Sequence, residues 1–211
     1  MINDIESVLL SEREIKEIIE RLGAQISRDY ANEPLPLQSG GVSSGSEPRF
    51  TTKNLLMISV LKGSVVFMAD LMRAITVPCA IDFLSVSSYG AGVKTSGAVK
   101  IIKDLNVNPA GFDVLVVEDI LDSGVTLHYI MELLAPRGPE SIRLCTFLDK
   151  PERRAADVKA DYVGAVIPDR FVVGYGLDYN EKYRNLPYVG VLKPEVYINA
   201  ECRIKNAEVG S

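Results

Sequence analysis

The segment Val114-Leu115-Val116-Val117-Glu118-Asp119-Ile120-Leu121-Asp122-Ser123-Gly124-Val125-Thr126 is the most informative stretch for chemistry in the chain. An apolar run, expected as a buried strand over Val114–Val117, leads directly into Glu118 and Asp119. In an open parallel sheet a ligand sits beyond the carboxyl ends of the strands, so this acid pair is expected at a binding edge. Asp122, Ser123, Gly124, Val125 and Thr126 then form a turn into a helix. A helix start offers free backbone N–H groups and the positive end of the dipole. Gly124 allows close backbone approach, and the Ser123 and Thr126 hydroxyls add donors, which together make a phosphate cradle. Carboxylates beside such a cradle conflict with an anion unless they face sugar hydroxyls or a bound cation. A ligand with a phosphate at one end, a ribose diol in the middle and a magnesium-bound pyrophosphate removes the conflict. The plainer alternative is a solvated strand end followed by a helix cap.

Competing motifs fit less well. The Gly-Lys-[Ser/Thr] ending of a nucleoside-triphosphate loop is absent, and Gly174 with Gly176 forms an isolated G-x-G rather than a dinucleotide fingerprint. Other segments carry groups that suit the same ligand. Leu61-Lys62-Gly63 ends an apolar run with a lysine, which suits a pyrophosphate as well as a simple strand-ending turn. Ser87-Ser88-Tyr89-Gly90-Ala91-Gly92, continuing through Gly97, reads as a hinged loop or an exposed hairpin tip. Leu148-Asp149-Lys150-Pro151 places a lysine at another strand end, either donating to a carbonyl on a base or lying on the surface. The run from Phe171 to Arg184 combines a flat aromatic face, an acid at Asp178 and an arginine fork at Arg184, beside the ordinary reading of a core strand over Val172 and Val173. Arg153 and Arg154 read as solvated surface charges, and His128, off the apolar stripe of its helix, receives no catalytic role.

Glu118 through Thr126 is similar to the phosphoribosyl pyrophosphate motif of the type I phosphoribosyltransferases. With the other segments, the chain more closely resembles the bacterial hypoxanthine (hypoxanthine-guanine) phosphoribosyltransferases, in matching order from about Ser11 to Tyr197 except for residues 31–50. The resemblance implies a purine-salvage enzyme. It would transfer the 5-phosphoribosyl group from phosphoribosyl pyrophosphate to hypoxanthine, guanine or both, giving IMP or GMP and pyrophosphate. It implies Mg2+, with Glu118 and Asp119 at one ion and Asp178 at a second, and a homodimer or homotetramer. Lys62, Gly63, Ser88, Tyr89 and Arg184 would meet the pyrophosphate end, with a cis peptide possible in the Leu-Lys-Gly loop. Ser123, Gly124, Val125 and Thr126 would hold the phosphate, with Glu118 and Asp119 on the ribose and Asp122 as general acid/base. Ile120, Lys150, Phe171 and the Val172 backbone would surround the purine. Alternatives are a regulatory binding protein on the same fold without turnover, and a phosphoribosyltransferase for another base such as xanthine.

The elements needed to position these residues are legible in the hydropathy pattern. Ile15, Ile18, Ile19, Leu22 and Ile26 recur at helical spacing over residues 11–30, with Ser11 and Glu14 spaced as a capping box. Leu55–Leu61, Ala80–Val86, Val99–Ile102, Val114–Val117, Leu144–Leu148 and Tyr162–Ile167 read as strands. A helix capped by Ser64 follows the first, and a helix marked by Leu127, Ile130, Met131 and Leu134 ends near Pro136 and Gly138. This alternation predicts an α/β fold with a mainly parallel twisted sheet flanked by helices. The resemblance adds a small hood formed by N- and C-terminal segments. Residues 1–211 are expected to form one domain, and residues 31–50, rich in Pro, Gly and Ser, a flexible loop longer than the family norm.

The totals narrow the function classes. A formal charge of −5 argues against a nucleic-acid binder. Cys79, Cys145 and Cys202, odd in number and without C-x-x-C spacing, do not read as a disulfide framework or a zinc site. No apolar run is long enough to cross a membrane, and the acidic start lacks a signal peptide's apolar core, so a cytoplasmic protein is expected.

Overall fold

The chain forms, in order, β1 (Ile5–Leu10), α1 (Glu12–Asp29), β2 (Leu55–Leu61), α2 (Val65–Ala74), β3 (Cys79–Ser88), β4 (Val99–Lys103), β5 (Asp113–Leu121), α3 (Val125–Leu134), β6 (Ser141–Asp149), β7 (Tyr162–Val166), β8 (Val172–Val173) and β9 (Val189–Leu192). This is a computed structural model, and it describes residues 1–31, 53–88 and 99–198. The expected loop at residues 31–50 lies, beyond Ala31, outside the described residues, as do Tyr89–Ala98 and Cys202.

A six-stranded sheet runs β4–β3–β2–β5–β6–β7, parallel except for the antiparallel edge strand β4. Its central strands are apolar at consecutive positions because both faces are covered. Leu55 and Met57 of β2, Leu115 and Val117 of β5, and Cys145 and Phe147 of β6 pack with α1 and α2. The alternate residues Leu56, Ile58, Val114, Val116 and Leu144 pack with Leu127, Ile130 and Leu134 of α3 on the other side. Burial on both faces removes the polar alternation of a half-exposed strand. Each fully buried aliphatic side chain adds roughly 1.5–3 kcal/mol.

α1 begins with the expected capping box: Glu14 N donates to Ser11 Oγ at 3.3 Å and Ser11 N donates to Glu14 Oε2 at 2.8 Å. Ser64 departs from expectation. It makes no cap with its side chain; its hydroxyl instead donates to Val60 O and lies 2.8 Å from Ser59 Oγ. The hydroxyl thereby ties the last turn of β2 down before α2 starts. β5 also runs further than its apolar stretch. Glu118 through Leu121 remain paired, because β6 continues alongside with Thr146 opposite Glu118 and Leu148 opposite Ile120.

A second sheet, β1–β9–β8, is antiparallel and joins the two ends of the described chain, forming the expected hood. Its own core contains Val173, Tyr183, Leu186 and Leu192. Arg170 donates to both carboxylate oxygens of Glu6 at 2.7 and 2.6 Å, and Tyr183 donates to Asp4 at 2.9 Å. Cys145 is buried and Cys79 half-buried, both free; burial pushes each thiol above its ordinary pKa. No helix among the described residues is long and apolar enough to cross a membrane.

Candidate active site

The sheet order reverses at β2 and β5: β3 lies outside β2, whereas β6 lies outside β5. Such a switch point opens a crevice at the carboxyl edge. Lys62 and Gly63 follow β2 there, Glu118 to Leu121 form the end of β5 with Asp122 next, and Asp149 ends the neighbouring β6 with Lys150 next. Three segments far apart in sequence are thus set side by side by strand pairing alone.

Glu118 Oε2 is buried and has no hydrogen-bond partner among the described residues. Burial first, and then the charge of Asp119, push its pKa well above the carboxylate range. Burial likewise pushes Asp119 up, to about 6, against the opposing pull of N–H bonds and the Arg184 charge. Asp119 Oδ1 accepts from Ile120 N at 2.7 Å, and a Cβ on Gly63 would overlap the Asp119 carboxylate, so the two loops meet backbone against side chain. A buried acid without a donor suits a hard cation or a hydroxyl-rich ligand. No group of three or more His, Cys, Asp or Glu side chains among the described residues is arranged to hold a metal by itself. A cation here would need oxygens from a ligand or water, which is usual for phosphate-bound divalent ions.

Asp122 lies three residues beyond Asp119. Its Oδ1 is buried and accepts no hydrogen bond; Arg153 Nε stands 3.3 Å away as an ion pair without hydrogen-bond alignment. Gly124 adopts φ 80° and starts α3, and no side chain caps that helix. Val125 N reaches Ser123 Oγ only at 3.5 Å. Glu118, Ile120, Asp122, Ser123, Gly124 and Thr126 line a small cavity of about 130 Å³. A larger groove of about 950 Å³ between α1 and α2 shares only Arg184 with the residues named here.

On the other side of the crevice the Leu61–Lys62 peptide is cis. Lys62 Nζ lies 3.0 Å from Glu181 Oε1. Arg184 donates to Gly176 O at 2.8 Å and pairs with Asp178 Oδ1 at 2.9 Å, while its Nε is buried without a partner. Asp178 Oδ2 also accepts from Glu181 N at 2.8 Å. Glu181, which sequence reasoning left without a role, stands against both cations of this side, with Oε2 3.4 Å from Arg184 Nη2.

Lys150 is only 5% exposed. Its ammonium donates to Arg170 O at 2.6 Å, and burial pulls its pKa down against the attraction of Asp122 and Asp169. Val172 is buried in β8, opposite Val191. Phe171 is 38% exposed; one face stacks on Tyr197 at 4.9 Å between ring centroids, and Tyr179 meets it edge-on at 5.4 Å. Ser88 ends β3, and Tyr89 lies outside the described residues.

Arg154 is not the solvated charge its composition suggests. Its side chain is 19% exposed, and its guanidinium donates to the carbonyls of Asp122, Leu121 and Val158. Arg153 beside it is 53% exposed and faces Asp122 and Asp169. Adjacent arginines give no sequence signal for which one turns inward.

A parallel sheet with an acid pair and a helix-capping turn at its switch point defines a phosphoribosyl transferase domain. The family model for that domain matches residues 7–180, and the chain belongs to this family, in its hypoxanthine-guanine phosphoribosyltransferase branch. It is 49% identical over 199 residues to the hypoxanthine-guanine phosphoribosyltransferase of Staphylococcus aureus, covering 94% of this chain and 100% of that one. It is 48% identical over 197 residues to the bifunctional protein TilS/HprT of Listeria monocytogenes, of which it spans 27%. Among solved structures, the S. aureus hypoxanthine phosphoribosyltransferase matches with a TM-score of 0.80 at 49% identity, over 93% of this chain and 96% of that one. A Bacillus anthracis hypoxanthine-guanine phosphoribosyltransferase matches with a TM-score of 0.77 at 44% identity, over 90% and 99%.

Proposed function

We propose that the protein is a magnesium-dependent 6-oxopurine phosphoribosyltransferase. It would join hypoxanthine, guanine or both to phosphoribosyl pyrophosphate and release pyrophosphate. The observation that carries the reading is the buried, unpartnered carboxylate oxygen of Glu118 directly ahead of an open helix start at the switch point. A cation or a hydroxyl-bearing ligand would satisfy that oxygen, and an anion suits the free N–H groups of the turn beyond it.

In the proposed reaction the purine N9 forms a bond to ribose C1 as the C1–O bond to pyrophosphate breaks, and the bonding pair leaves with the pyrophosphate. Positive charge develops on the ribose ring. Glu118 and Asp119 favour that charge while holding the sugar hydroxyls. Ser123, Gly124, Val125 and Thr126 grip the 5′-phosphate. Lys62 and Arg184 exchange their contacts to Glu181 and Asp178 for the leaving pyrophosphate. Asp122 takes up or shares the proton at purine N7. Lys150 donates to the 6-oxo group, and the open face of Phe171 stacks on the base. Magnesium would be held at Glu118 and Asp119, with a second ion at Asp178, and would supply charge neutralisation for the departing pyrophosphate.

The reading extends to one domain over residues 1–211, to the cytoplasm, and to a homodimer or homotetramer, which light scattering would decide. The test of function is a magnesium-dependent assay with phosphoribosyl pyrophosphate and a panel of bases. Nucleotide is expected with hypoxanthine or guanine and not with adenine. No nucleotide from any base would end the proposal.

A further inference from the structure

The phosphate turn is held from behind by one short segment. Arg154 Nε donates to Asp122 O at 3.0 Å and Nη2 to Leu121 O at 3.2 Å. Ala155 N and Ala156 N both donate to Ser123 O, at 2.8 and 3.0 Å. The carbonyls of three consecutive residues, Leu121, Asp122 and Ser123, are therefore all engaged by Arg154–Ala156, and Leu121 O also accepts from Lys150 N at 3.0 Å. In a planar trans peptide the carbonyl of one residue and the N–H of the next point in opposite directions. Fixing those carbonyls on Arg154–Ala156 turns the N–H groups of Asp122, Ser123 and Gly124 the opposite way, and the same three residues line the small cavity. Successive N–H groups turned one way make an anion-binding concavity.

The guanidinium is itself anchored. It pairs with the Asp149 carboxylate and donates to Val158 O at 2.6 Å. Its stem packs against the turn: a Cβ on Gly124 would stand 3.0 Å from Arg154 Cδ. A planar fork with five N–H donors can reach several acceptors at fixed angles, which a lysine cannot.

We propose that Arg154 is a positioning residue for the 5′-phosphate: it never touches the ligand, and it sets the backbone orientation that binds it. The identity of the anion rests on the function proposed above, and the test keeps the two apart. Arg154→Met keeps most of the stem and removes the fork; Arg154→Lys keeps a charge with a smaller head. Affinities for IMP and for inosine, which differ by the 5′-phosphate, are measured by calorimetry on both variants, with melting temperatures and with KM and kcat for each substrate.

Loss of a set of charge-assisted bonds in Arg154→Met should weaken IMP by about tenfold to a hundredfold, with inosine unchanged. KM for phosphoribosyl pyrophosphate should rise while KM for hypoxanthine holds, and Arg154→Lys should recover part of the loss. Equal losses for IMP and inosine, or wild-type IMP affinity in Arg154→Met, would overturn the inference. If Arg154→Met does not fold, unchanged discrimination of IMP from inosine in a folded Arg154→Lys overturns it instead. A wild-type protein that binds IMP yet forms no nucleotide would sink the proposed function, and the IMP–inosine comparison would still decide Arg154.

Discussion

Asp122 and Phe171 show how differently single side chains can be primed for a ligand. Asp122 presents a buried oxygen that no hydrogen bond satisfies, with a cation 3.3 Å away. Asp122→Asn keeps the shape and removes the base, so kcat should fall roughly 10²–10⁴-fold in steady-state assays. A near-normal kcat would take Asp122 out of proton transfer. Phe171 is backed by Tyr197 on one face, which leaves the other for a planar base. Phe171→Ala should raise KM for the purine by roughly threefold to tenfold, leaving KM for phosphoribosyl pyrophosphate nearly unchanged. Both residues were proposed from the sequence because motifs of fixed order carry them. Arg154 was not. The bonds that bury it come from Leu121, Asp122 and Val158, and no local pattern distinguishes it from Arg153.

Among the elements, the strands of the main sheet could be read because helices cover both faces and force continuous apolar runs. β1 and β9 could not: β1 is a strand only because it pairs with β9, more than 170 positions away. The two-residue β8 matches the core strand expected over Val172 and Val173. The loop after β4 depends on a buried acid. Asp82, 4% exposed, accepts from the N–H groups of Phe83, Asn106 and Val107. Desolvation raises its pKa, but those three N–H bonds and the Lys103 charge outweigh it, and the net shift is downward. A lowered native pKa means that this stabilisation is complete above the unfolded value of about 3.9 and fades as pH falls through the native one. Denaturation midpoints measured from neutral pH to acid should therefore drop more steeply for the wild type than for Asp82→Asn. Parallel curves would show that Asp82 contributes no acid sensitivity. Gly176 serves another junction: at φ 98° its Cα lies against the Gly63 carbonyl, where a Cβ would collide. Gly176→Ala should lower the melting temperature, by strain of order 1–3 kcal/mol, and weaken pyrophosphate binding through the displaced Lys62 loop.

On the scale of the whole molecule, the proposed chemistry draws on residues from Lys62 to Arg184 and none from 31–50. Exchanging that stretch for a short Gly/Ser linker should leave kcat and both KM values close to wild type; loss of turnover in a folded variant would reveal a part the stretch plays. The hood has the opposite standing. Glu6 in β1 grips Arg170, whose carbonyl accepts a hydrogen bond from the Lys150 ammonium, and Phe171 follows directly. A protease that clipped away Ile5–Leu10 would thus leave the grip on sugar phosphate intact and blunt the enzyme's choice among bases. On the proposed function, Ile5–Leu10 would act as a remote tuning peg for which purine is taken.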